Sequence, residues 1–257
     1  MTEPTTRATA ARLKAAAVHL SASAVVALLA AALIFGLWYP PPYGEMSGGR
    51  ELFVILLGVD VILGPLVTLI VFNPRKPRRE LLRDLAVVVA LQLAALGYGV
   101  WTVWAARPVH LVFEFDRFRV VHAIEVPTEL LPASDPAIRA LPLTGPTLLA
   151  VRPFRDVNEE ATATFMALQG LPLSARPDLW QPYEQARQRV LHAAKPLAAL
   201  RQRAPAAGAL IDAAVARCGR AQQALVYLPV STRKAFWTAL LDAQSAEVCA
   251  FLPLDSF

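Results

Sequence analysis

Asp60 stands inside the run GVDVILGPLVTLIVF, flanked by apolar side chains, with the pair Gly64-Pro65 four residues further on. A carboxylate at the middle of a membrane helix costs roughly 2.5–3.5 kcal/mol to insert, so such a residue normally has a partner or a task. Three kinds of chemistry are open to it: contact with a polar group on another membrane helix, a step in an ion path, or a protonated carboxyl bonded within its own bundle. An ion path needs several polar groups in line, and only Gln92, Thr68 and Thr102 are at hand, at scattered depths. Gly64-Pro65 bears on helix contact, because a glycine opens the helix surface while a proline kinks the chain and frees backbone carbonyls. The same pair also serves plain packing within the chain. Asp60, Gly64 and Pro65 are the candidate contacts for a partner helix.

Other residue types with chemical potential are scattered. His19, His110, His122 and His192 have no metal-ligand spacing, and the chain has no Gly-rich phosphate loop or nucleophile elbow. Glu114 and Asp116 fall on one face of an expected strand, as paired carboxylates would, but beside Arg117 and Arg119 they read as a solvated strand edge. No catalytic, cofactor-binding or metal-binding residue is assigned. The chain reads as a non-enzyme with no cofactor.

The elements that must position Asp60 are membrane spans. The 257 residues are 56% hydrophobic with a mean hydropathy of +0.44, too apolar for an ordinary soluble protein. The apolar residues concentrate in three runs, spans about 16–38, 52–72 and 85–106, each near the ~20 residues that cross a bilayer as a helix. Arg75, Lys76, Arg78, Arg79 and Arg83 crowd the loop after the second run, and Arg7, Arg12 and Lys14 precede the first. The positive-inside rule then predicts a cytoplasmic N-terminus and a C-terminal part on the trans side, the periplasm in a bacterium. The aromatic and proline-rich WYPPPY after the first run reads as an interfacial belt and tight turn rather than a cleavage site, so that run is expected to be a retained anchor. From Arg107 onward 16 Lys and Arg face 14 Asp and Glu, which argues against a nucleic-acid partner.

Counting inward at 1.5 Å per residue places Asp60 ~18 Å, Gln92 ~12 Å and Tyr98 ~21 Å from the basic side. Tyr98 is thus the expected internal partner for Asp60, and no Lys or Arg lies within the spans to neutralise it. Asp84 is placed to cap the third span.

The expected domains are a three-span region over 1–106 and a periplasmic α+β domain over 107–257. RPVHLVFEFDRFRVVHAIEV alternates as a strand, a Pro-rich segment follows, TLLAVRPF reads as a second strand, and Asp156 with Glu159 opens a helix that ends near Gly170. Amphipathic helices interrupted at Pro196 and a short helix stopping at Gly219 lead to ALVYLPV and to a hairpin of AFWTALLD and EVCAFLPLD. Cys218 and Cys249, the only cysteines, both fall in this part, where an oxidising compartment favours a disulfide and two buried free thiols are the alternative.

WYP after the first span, GVDVILGPLVTLIVF, LQLAALGYGVWTV, RPVHLVFEFDRF, RPDLWQPYEQARQRVL and LLDAQSAEVCAFLPLDSF, in that order, resemble the TfpX/TfpZ family of type IV pilin accessory proteins from about Val18 to Phe257. The resemblance implies an inner-membrane, chaperone-like protein without catalysis that helps a cognate pilin assemble. Its implied partners are the type IV major pilin and the lipid bilayer, with other pilus assembly proteins as further candidates. One departure is Ser245-Ala246 before Glu247, where the family often has a glycine, which leaves the turn type of the last hairpin open. A membrane-anchored periplasmic ligand sensor and an auxiliary factor in pilin modification are the competing functions. A sensor would need an output domain that the short cytoplasmic segments do not supply.

Overall fold

The computed structural model describes residues 3–257 and divides into two units, one holding the chain up to Trp38 together with Gly49–Ala105, the other holding Tyr39–Gly48 and Ala106–Phe257. The first unit contains three helices long and apolar enough to cross a membrane, Arg7–Trp38, Gly49–Val71 and Arg78–Ala105. Most of their large apolar side chains face outward, as a lipid-facing bundle requires. The second span is interrupted by π-helix over Gly58–Leu63, directly before Gly64-Pro65, and the first ends in π-helix over Ile34–Trp38. The third helix begins at Arg78, so Asp84 lies inside it and accepts from Lys76 at 2.6 Å instead of capping the helix.

The second unit is a mixed sheet with helices packed on it, an α+β domain. Its strands are β1 (Pro108–Glu114), β2 (Arg117–His122), β3 (Thr147–Val151), β4 (Trp180–Pro182), β5 (Lys195–Pro196), β6 (Leu225–Ser231), β7 (Phe236–Asp242) and β8 (Val248–Leu252), ordered β4-β3-β1-β2-β6-β7-β8 with β5 beside β6. Helices α1 (Val157–Leu168), α2 (Arg187–Ala193), α3 (Leu197–Arg203) and α4 (Gly208–Cys218) follow β3. The single strand expected over RPVHLVFEFDRFRVVHAIEV is instead the antiparallel hairpin β1–β2. Phe115 turns it with φ at +53°, and the apolar alternation hides the turn because it continues on both sides. β1 is buried on both faces, Leu111 and Phe113 packing in one core cluster and Val109 and Val112 in another. The Asp156 carboxylate caps α1 by accepting from Glu159 N at 2.8 Å, and Glu159 itself turns to Arg152, at 2.7 Å.

The closing hairpin needs no glycine. Asp242 accepts from the backbone N–H groups of Gln244 and Ser245 at 2.9 and 2.7 Å, and Ala246 takes the left-handed conformation at φ +60°. Its carbonyl is held by the Tyr183 hydroxyl at 2.7 Å. Cys218 and Cys249 are disulfide-bonded with a Cα separation of 5.1 Å, fastening α4 to β8.

Residues 39–48 depart from the expected interfacial belt. Met46 is fully buried in the core with Leu111 and Phe113, Tyr43 packs on Phe251 with ring centres 5.7 Å apart, and Tyr39 is buried as well. The loop between the first two spans is therefore part of the domain core.

Candidate functional site

Span two supplies the acid and span three its support. Bonds in a π-helix run from N–H(i+5) to C=O(i), so the series over Gly58–Leu63 would next require an N–H at residue 65, where proline has none. The orphaned carbonyl is that of Asp60. Gln92 on the third span donates its side-chain amide to it at 3.4 Å. The approach is possible because residue 64 is glycine; a Cβ there would overlap the Gln92 amide. Gly64 and Pro65 are both buried. Of the three candidate contacts, they hold the π segment in place while Asp60 is the one aimed into a crevice.

That crevice, of about 210 Å³, lies between the first and third spans, with His19, Ser23 and Val26 on one wall, Gln92 and Leu96 on the other, and Asp60 between them. The third span meets the first at Ile34–Trp38, and the two spans part further down. Asp60 is buried, and its Oδ1 has no hydrogen-bond partner among the described residues. Tyr98 is not its partner. Six residues beyond Gln92 puts Tyr98 about 120° around the helix; the residue is 70% exposed and its ring lies against Trp101. Depth along the bilayer was the wrong criterion; helical phase decides.

His19 is the residue that depth counting misses. Its Nδ1 lies 2.5 Å from Thr68 Oγ1, tying the first span to the second, and its ring shares the Asp60 crevice. The signal in the sequence was a histidine near the start of an otherwise apolar run. His19, Asp60, Thr68 and Gln92 thus form one polar cluster spread over three spans.

The domain does not bring together the other residues with chemical potential. Glu114 accepts from Ser174 N at 3.1 Å, while Asp116 pairs with its neighbour Arg117. His110 is buried on Trp180, its Nδ1 2.7 Å from Thr147 Oγ1, and burial pushes its pKa down to about 3. His122 contacts Glu125 at 3.1 Å. Among the described residues no three His, Cys, Asp or Glu side chains gather where they could hold a metal ion.

A family model described as Fimbrial assembly protein FimB matches residues 7–48, the first span and the loop buried in the domain. Two fimbrial assembly proteins of Dichelobacter nodosus, of serogroups E1 and I, are each 34% identical to this chain over 246 residues, 95% of this chain and 95% of their own. The chain belongs to the fimbrial assembly protein family. Another member from the same organism, of serogroups C1 and C2, is 40% identical over 119 residues, 46% of this chain and 91% of its own length. No solved structure matches the chain significantly.

Proposed function

We propose that this chain is an accessory protein of type IV pilus assembly, of the TfpX/TfpZ kind, that sits in the bacterial inner membrane and holds its cognate pilin ready for assembly. Membership of the fimbrial assembly family supports the pathway. The observation that carries the binding role is the Asp60 carboxylate, aimed into a crevice between two membrane helices with one oxygen unpartnered among the described residues. A pilin helix entering from the lipid would cover the crevice and bring a hydrogen-bond donor or cation to Asp60, relieving a desolvation that hydrocarbon cannot relieve. Gly64, Pro65 and Gln92 act by positioning it. The role is binding, not catalysis.

The orientation rests on two arguments. The basic loop after the second span favours the cytoplasm, and the loop at 39–48 is buried in the C-terminal domain, so that loop and the domain share the opposite side of the membrane. That side is the periplasm, where the Cys218–Cys249 disulfide is stable.

Co-purification of pilin with Asp60→Leu and Asp60→Asn chains at matched expression tests the reading. Asp60→Leu inserts normally yet recovers less pilin, and Asp60→Asn, which still hydrogen-bonds, is milder. Full recovery with Asp60→Leu would move the recognition surface to the periplasmic domain.

A further inference from the structure

A second crevice, of about 600 Å³, opens below the Asp60 site. Its walls are apolar, Val18 and Ala22 on the first span against Phe72 on the second and Leu85 and Val89 on the third, with His19 and Thr68 paired at its upper end. Among the described residues its only lining Lys or Arg is Lys14, at the end where the apolar part of the first span begins. Lys14 has no ion-pair partner among the described residues, and the Nε of nearby Arg12 is buried without a hydrogen-bond partner among them. Arg78 and Arg79, in the first turn of the third span, likewise carry no ion pair there, whereas Lys76 is tied to Asp84.

An apolar slot between membrane helices, with a polar pair at its inner end and the Lys14 ammonium at the other, has the chemistry of a phospholipid. The acyl chain matches the hydrocarbon wall, and an anionic phosphate headgroup matches Lys14 at the other end. A lone apolar groove would not select a headgroup; the cation at one end does. We propose that the lower crevice is a binding site for an anionic phospholipid. The site is independent of the Asp60 reading, although the two crevices share His19, Ala22 and Val89 as walls.

The test is native mass spectrometry of the full chain, titrated with phosphatidylglycerol, with phosphatidylcholine of the same acyl chains, and with glycerol phosphate as the free headgroup. Phosphatidylglycerol should be retained over phosphatidylcholine, and glycerol phosphate alone should not bind. Lys14→Ala should lower phosphatidylglycerol retention roughly fivefold, the effect of one basic residue at an anionic surface. Ala15→Leu, which fills the slot and leaves the charges in place, should lower retention of both lipids. Equal retention of the two lipids by the unaltered chain would overturn the proposal, as would unchanged retention in both variants. Binding of glycerol phosphate without the chains would mean a phosphate site only. A photocrosslinker at Ala15 that captures a protein helix in cells, and no lipid, would assign the crevice to a polypeptide instead.

Discussion

The side-chain amide of Gln92 donates to the backbone carbonyl of Asp60 at 3.4 Å, supplying from the third span the donor that Pro65 lacks in the second. Gly64 makes the approach possible. These residues should be energetically coupled. Gly64→Ala should destabilise the bundle by about 1–3 kcal/mol through overpacking, and Gln92→Ala by about 1 kcal/mol through loss of an interhelical bond. The pair together should cost less than the sum, because alanine at 92 removes the amide that a Cβ at 64 would strike. Unfolding of each variant in mild detergent measures the cycle, and strict additivity would contradict the arrangement.

The domain and the loop at 39–48 should share one side of the membrane. An export-dependent reporter fused after Phe257 should be active and a cytoplasm-dependent one silent. In the same envelope fraction Cys218 and Cys249 should resist alkylation until reduced. Closing a loop with a sequence separation of 31 should stabilise the domain by about 3–4 kcal/mol. Free thiols in the native envelope, or a reporter active in the cytoplasm, would reverse the topology.

His110 gives the domain an acid sensitivity. Burial lowers its pKa from 6.5 to about 3, so the unfolded chain takes up a proton that the folded chain refuses. Its contribution is fully present above pH 6.5 and is lost as pH falls toward 3, with a slope of up to about 1.4 kcal/mol per pH unit. Chemical denaturation of the full chain at stepped pH should show this slope, and His110→Gln, which cannot titrate, should flatten it. An unchanged slope in that variant would place the acid sensitivity elsewhere.

Much of the architecture is legible in the residues because hydrophobic run length and turn chemistry act locally. Three apolar runs read as long helices, Asp156 as a cap and Gly219 as a helix end, and the structure has helices over all three runs, the Asp156 cap and a left-handed Gly219 after the last helix. What was not legible depends on contacts distant in sequence. Met46 and Tyr43 look like interfacial loop residues until the sheet that buries them is known. Asp60 could be recognised as exceptional, but not its surroundings: Tyr98 fits by depth and fails by phase, while Gln92 and His19 acquire their places through the π-helical segment and the packing of three spans. The β1–β2 turn at Phe115 carries no glycine to announce it, and the last hairpin replaces glycine by Asp242 bonds and a left-handed alanine.

Photocrosslinking in cells, from a probe at Ser23 on the wall of the Asp60 crevice, bears most directly on pilin recognition. A product containing pilin should form in the unaltered chain, fall several-fold with Asp60→Leu, and persist largely with Asp60→Asn. If Ser23 captures no pilin, while a probe at the exposed Phe165 of α1 captures it whether residue 60 is aspartate or leucine, then pilin is recognised by the domain and Asp60 is not its contact.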